Sequence, residues 1–103
     1  MIRQESKKLT SEHLRAARGL LRWDQTDLAE ASGVSLPTIK RMEKQFGLLK
    51  AHEPTLQALF RALEEAGIQL IHESEEGGIG VRLRHRSGDA GTGFSQGSFE
   101  VSR

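Results

Sequence analysis

The sequence predicts a mainly α protein in which a helical bundle is followed by a β-hairpin. Apolar residues recur at helical spacing as far as Gly67, and beyond it they alternate with polar residues, as they do in strands. Two short helices separated by a single glycine lie within the helical part, at residues 25–43. A chain of 103 residues has room for one modest core, so we expect no second domain.

Residues 25–43 have the pattern of two amphipathic helices joined by a turn. In the first helix Leu28, Ala29 and Ser32 fall at helical intervals, and Asp24 is suited to cap the first amides. Gly33 follows, and glycine enters the left-handed region without steric cost. We therefore expect the chain to turn sharply at Gly33 instead of extending the helix.

The second helix of the pair is predicted to begin after Ser35, a good N-cap residue, with Pro37 in its first turn. Ile39, Met42 and Phe46 recur at i, i+3 and i+7 and form its expected buried face. The opposite face contains Leu36, Thr38, Lys40, Arg41 and Lys44. An ordinary helical hairpin would need no such face, whereas three cations on one face suit a helix that lies in a phosphate-lined groove.

Over roughly residues 14–63 the chain resembles the phage-repressor-like (Xre/Cro type) helix-turn-helix proteins. The matching pieces are WDQTDLA at 23–29, SGVS at 32–35, TIKRME at 38–43 and PTLQALFRAL at 54–63. The resemblance implies a lambda-repressor-like bundle of four to five helices that binds double-stranded DNA.

The resemblance also implies roles for single residues. Gln25, at the amino end of the first motif helix, would hold a phosphate with the help of the helix dipole. Arg18 and Glu43 stand where relatives form a partly buried ion pair. The positions that touch the DNA backbone are Ser35 and Thr38, and those that face base edges are Leu36, Pro37, Lys40 and Arg41.

The leading edge of the recognition helix departs from the family pattern. Leu36 and Pro37 are apolar where many relatives have hydrogen-bonding side chains, so they offer only van der Waals contact, for example with thymine methyl groups. Arg41 is then the best candidate for reading a guanine. Lys44 and Lys50 are expected to contact phosphates, and part of the specificity is expected to come from DNA shape.

The charge is distributed unevenly, although the net charge is only +1. Residues 1–50 contain ten Lys or Arg against six Asp or Glu, whereas residues 51–103 contain five against eight. The basic half is the one that contains the two-helix motif. This distribution favours a protein with one face toward phosphates and another toward protein or water.

Two further helices are predicted around the motif. Thr10 or Ser11 is suited to cap a helix that begins there, and Trp23 after it is expected to pack in the core rather than stack on a base. Another helix begins at Pro54 and stops at Gly67. The apolar positions are Leu14, Ala17 and Leu21 in the former helix, and Leu56, Leu59, Phe60, Leu63 and Ala66 in the latter.

The alternating segment predicts a β-hairpin at residues 67–85. Ile68, Leu70 and His72 face one way, residues 74–78 (SEEGG) make a turn, and Ile79, Val81 and Leu83 alternate with Gly80, Arg82 and Arg84. A two-stranded ribbon alone is marginal in water, so its apolar face must cover the bundle or meet a second copy. Pairing of exposed edges would give a homodimer suited to a palindromic operator.

The remaining segments flank the predicted DNA-binding domain at residues 10–66. Residues 1–9 are interpreted as a flexible arm, either frayed or reaching along DNA, and residues 86–103 as a flexible tail rich in Gly and Ser. Phe94, Phe99 and Val101 leave open a docking peptide for a protein partner.

Catalytic and metal-binding patterns are not found in the sequence. His13, His52, His72 and His85 are scattered, there is no cysteine, and surface or capping roles suit the histidines better. The glycines of residues 75–81 lie between predicted strands and lack the helix and lysine of a phosphate loop. We expect no enzyme, no metal, no cofactor and no membrane association, and a cytoplasmic location.

Two functions remain open from the sequence. One is a transcription regulator, either a small repressor or an antitoxin that represses its own promoter. The other is a protein-interaction module that keeps the bundle without binding DNA and uses the hairpin and tail to bind a partner.

Overall fold

The structure, a computed structural model, describes residues 8–85. The predicted fold class is confirmed, since helices are followed by an antiparallel hairpin. The elements are α1 (Ser11–Leu21), α2 (Gln25–Ser32), α3 (Leu36–Glu43), α4 (Glu53–Glu65), β1 (Ile68–Ile71) and β2 (Gly80–Leu83). The predicted tail and all but two residues of the predicted arm lie outside the described residues.

Side-chain caps set where the first three helices begin. Thr10 accepts from the amide of His13 at α1, and Asp24 accepts from the amide of Asp27 at α2. Ser35 caps α3 in the same way. The turn between α2 and α3 has the conformation expected from the sequence, because Gly33 has φ 80° and ψ 4°. The start and end of α2 and the start of α3 therefore lie where the sequence predicts them.

The core lies between the four helices and is closed by β1. Its most buried side chains come from every helix and include Leu14, Leu28, Ile39, Leu59, Leu63 and Ile68. Trp23 is half-buried and packs against this cluster, in agreement with its predicted structural role. Leu9, which the sequence places in the arm, is only 1% exposed and belongs to the core. The predicted arm therefore does not extend as far as residue 9.

The end of α3 differs from the prediction. The helix stops at Glu43, and Phe46, the expected third member of its buried face, is 85% exposed. The chain turns away because Gly47, at φ 76°, brings its carbonyl to the amide of Ser11 at 2.9 Å. The i+7 spacing of Phe46 is helical, but the helix no longer exists at that residue.

The hairpin covers the bundle. Its register pairs Ile68 with Leu83 and Leu70 with Val81, so these four side chains share one face and pack on the core. β2 lies against α1 and β1 against α4. The strands are slightly shorter than predicted, since His72, Ile79 and Arg84 fall outside them, and residues 74–77 form the turn.

His13 joins α1 to the hairpin. Its ring is 1% exposed, and Nδ1 accepts from the amide of Thr10 at 3.1 Å. Because the carbonyl of Ile71 only accepts, Nε2, 3.0 Å away, must carry the proton and donate. His13 thus caps a helix, as the sequence allows, but it is a core residue and not a surface one. No helix in the described part of the chain is long and apolar enough to cross a membrane.

Candidate nucleic-acid interface

The exposed face of α3 is a narrow stripe of mainly cationic residues. Pro37, Lys40, Arg41 and Lys44 are all exposed and recur at i, i+3, i+4 and i+7. Ile39, Met42 and Glu43 are buried on the opposite side. Among residues 8–85, none of the three cations makes a hydrogen bond or an ion pair. These side chains are therefore available to an anionic partner.

Leu36 and Thr38 lie at the borders of this stripe. Both are half-buried, so the predicted DNA-facing surface is narrower than the sequence indicates. Thr38 is engaged in the N-cap, where its Oγ1 accepts from the Ser35 hydroxyl at 2.9 Å. The hydroxyl proton of Thr38 remains available to donate to a phosphate oxygen.

An ion pair holds α3 on α1. Arg18 donates from Nε to Glu43 Oε2 at 2.8 Å and from Nη2 to Oε1 at 2.7 Å. The Glu43 side chain is only 4% exposed. Its hydrogen bond with Arg18 raises the pKa of the guanidinium further above its already high ordinary value. The Arg18 guanidinium therefore stays charged and can hold the Glu43 side chain on α1.

Gln25 is drawn into the same network. Its Nε2 donates to Glu43 Oε1 at 3.1 Å across the gap between α2 and α3. Gln25 is half-buried at the first position of α2, and an amide nitrogen carries a second proton. That proton remains for the phosphate contact that the sequence leads us to expect of Gln25.

The amino end of α2 is more acidic than a phosphate site would favour. Asp24 and Asp27 form a reciprocal capping box there, with bonds of 2.9 and 3.0 Å. Their carboxylates offset the positive end of the helix dipole beside Gln25. A phosphate at this end of α2 would therefore be bound less strongly than at an uncharged cap.

Lys50 lies beyond α3 in the connection to α4. Its side chain is exposed, and its backbone amide donates to Gln45 Oε1 at 3.2 Å. The residues predicted to contact phosphates and bases thus lie on α2, on α3 with its N-cap and C-cap residues, and in this connection. The described residues contain no group of His, Asp or Glu that could hold a metal ion.

Several residues that support α3 are not identified by the sequence. Arg15 donates to the backbone carbonyl of Glu43 and, at 2.6 Å, to Ser11 Oγ. Glu12 accepts from the amide of Gly47 at 3.1 Å. The one available signal is spacing, because Arg15 precedes Arg18 by one turn of α1 and shares its side of the helix.

The fold and the exposed cationic stripe define a helix-turn-helix protein of the DNA-binding class. A family model described as Helix-turn-helix matches residues 14–70, more than half of the chain. The chain belongs to this family, the Xre/Cro-type helix-turn-helix proteins. No curated protein matches the chain. Membership of this family shows, in general terms, that the protein is a DNA-binding regulator of transcription.

Proposed function

We propose that this protein is a sequence-specific regulator of transcription that binds double-stranded DNA through α3 in the major groove. The observation that carries the proposal is the exposed stripe of Pro37, Lys40, Arg41 and Lys44, in which all three cations lack partners among residues 8–85. Arg41 reads a guanine, and Pro37 with Leu36 contacts thymine methyl groups. Contacts with DNA phosphates position the helix, and the residues proposed to make them are Gln25, Ser35, Thr38, Lys44 and Lys50.

The test is a titration of DNA from upstream of the protein's own gene over a series of salt concentrations. Arg41→Ala is expected to lower affinity and relax preference at one base pair, costing about 1 to 3 kcal/mol of discrimination. Lys44→Ala is expected to weaken binding to all DNA sequences alike. It should also reduce the salt slope, the change in log affinity with log salt concentration, by about 1 per subunit. Arg61→Ala, an exposed cation on α4, is the matched control. Absence of binding by the unaltered protein at low salt would contradict the proposal.

The regulator is proposed to act as a repressor, alone or as an antitoxin that represses its own promoter. A DNA-binding protein that occupies a promoter blocks polymerase by its presence. The protein needs no catalytic activity, metal or cofactor for this role, and its proposed location is the cytoplasm. A reporter driven by the bound promoter should fall in activity when the protein is expressed, and a rise would identify an activator.

A homodimer is proposed to place two copies of α3 on a palindromic operator. Each strand of the hairpin pairs with only one other strand among the described residues, so each has a further edge. Pairing of hairpin edges across a two-fold axis would join two copies. Sedimentation as a monomer at micromolar concentration, both free and on operator DNA, would rule this out.

A protein-interaction module is the second candidate, and an apolar groove favours it. The groove has a volume of about 510 Å³ and is lined in part by Leu48, Ile79 and His72. Leu48 is 57% exposed and Ile79 40% exposed, and Phe46 follows α3 nearby in the chain. If Leu48→Lys abolishes partner binding while Arg41→Ala and Lys44→Ala change nothing, this candidate replaces the first.

A further inference from the structure

We propose that Arg15 of α1 is the C-terminal cap of α3, and that this cap leaves the cations of α3 available for DNA. The second half of this inference rests on the proposed function, and the first half does not. Arg15 is thereby a positioning residue: it acts through α3 and is not assigned a contact with a base.

The carboxyl end of α3 lacks the usual cap. Helices commonly end in a left-handed glycine whose amide bonds back to the last carbonyls. Here the C-cap residue, Lys44, has φ −84° and ψ −11°, and the amides of Lys44 and Gln45 return only to the carbonyls of Arg41 and Met42. No backbone amide of residues 8–85 reaches the carbonyl of Glu43. Since Glu43 is only 7% exposed, that carbonyl needs another donor.

Arg15 supplies that donor and is itself held in place. Its Nη1 donates to the Glu43 carbonyl and to Ser11 Oγ, which is 2.6 Å away in a fully buried residue. Nη2 lies 3.6 Å from the Glu12 carboxylate one turn earlier. One turn later, Arg18 holds the Glu43 carboxylate. Two arginines of α1 thus bind the backbone and the side chain of the same terminal residue.

The cap has a consequence for the exposed stripe. Lysine and arginine side chains in the last turn of a helix ordinarily bond to its terminal carbonyls and are attracted by the negative end of the dipole. Lys40, Arg41 and Lys44 are close enough in sequence to do so, yet none of their side chains bonds to any of residues 8–85. Because Arg15 occupies the terminal carbonyl, these cations extend toward solvent. Without Arg15, we expect Lys44 to turn back to the end of its own helix.

The first test uses the protein without DNA. Arg15→Met removes the donor and keeps an unbranched apolar stem. Arg61→Met on α4 is the control, since the exposed side chain of Arg61 makes no bond within residues 8–85. Amide hydrogen exchange at residues 44–47 is expected to accelerate about tenfold or more in Arg15→Met, because a hydrogen bond from a charged group to the helix end is lost. Unchanged exchange there, with the protein folded, would overturn the cap.

The second test measures the salt slope of DNA binding on a duplex selected by the unaltered protein. Arg15→Met is expected to reduce the slope by about 1 per subunit, and adding Lys44→Ala is expected to reduce it no further, since Lys44 is already diverted. If the two substitutions reduce the salt slope additively, Arg15 contacts phosphate directly, and the proposed role of Lys44 is overturned. An unchanged salt slope in Arg15→Met would also overturn that role. If the unaltered protein selects no duplex, the proposed function fails, while the exchange measurement still decides whether Arg15 is the cap.

Discussion

Glu43 is the residue at which three elements meet. Its carboxylate accepts from Arg18 of α1 and Gln25 of α2, and it belongs to α3. An ion that is buried without its partner loses its hydration and gains no compensating attraction. Removal of either charge of a mostly buried pair is therefore destabilising. Arg18 therefore contributes to stability and to the orientation of α3.

Replacement of Arg18 by Met is expected to lower the free energy of unfolding by about 3 kcal/mol, since it leaves the buried Glu43 carboxylate without its counter-ion. Urea unfolding followed by circular dichroism measures this loss. Arg61→Met, at an exposed site of α4, is expected to change stability by no more than about 0.5 kcal/mol. Equal effects of the two substitutions would show that the ion pair contributes nothing.

The negative charge of Asp24 is expected to weaken DNA binding, whereas its capping of α2 does not depend on that charge. Asn caps helices as well as Asp does, so Asp24→Asn should keep α2 intact while removing a negative charge next to the phosphate contact proposed for Gln25. Affinity for DNA is expected to rise about two- to fivefold at low salt. The control is Glu30→Gln, an exposed acid farther along α2. An equal gain from both would indicate a general charge effect instead of a local one.

At the scale of elements, local signals predicted the beginnings of helices better than their ends. Asp24, Ser35 and Gly33 act within three residues of themselves, and each has the predicted role. The end of α3 depends on α1, which is more than 20 residues earlier in the chain, through Arg15 and the amide of Ser11. No pattern within α3 contains that information, and the helical spacing of Phe46 therefore misled the prediction.

The turn between α2 and α3 gives a test with an internal control. Gly33 has φ +80°, so Gly33→Ala is expected to cost about 1 kcal/mol although nothing would contact the new methyl group. Gly19 lies exposed inside α1 with equally open surroundings, and Gly19→Ala is expected to stabilise by about 0.5 to 1 kcal/mol. Thermal melts of the two variants should shift in opposite directions. A shift of the same sign in both would refute the assigned turn.

The connection after α3 is expected to respond to acid. Hydrogen bonds from the Glu12 amide and from Gly47 lower the pKa of the Glu12 carboxyl below its ordinary 4.5. Its contribution to stability is therefore complete above pH 4.5 and is lost as the pH falls through the lowered folded-state value. Melting temperatures of the original protein and Glu12→Gln should differ near neutral pH and converge in strong acid. A difference that does not vary with pH would show that ionisation of Glu12 is irrelevant.

For the whole molecule, the sequence predicted the exposed cationic stripe of α3 better than the contacts behind it. Lys40, Arg41 and Lys44 belong to one short helix, so their common face follows from helical spacing alone. Gln25 and Glu43 are 18 residues apart, and His13 and Ile71 are 58 apart, so these contacts exist only once the bundle has formed. Such long-range contacts explain why the supporting residues Arg15 and Glu12 were not predicted.

The central claim is that the stripe on α3 reads base pairs. Selection from a randomised duplex library, carried out in parallel with the original protein and Arg41→Ala, tests it most directly. We expect the original protein to enrich one motif containing a guanine at a fixed position, and Arg41→Ala to lose the preference at that position only, with about 1 to 3 kcal/mol less discrimination. Enrichment of the same motif with the same guanine by both proteins, or of no motif by the original protein, would contradict the claim.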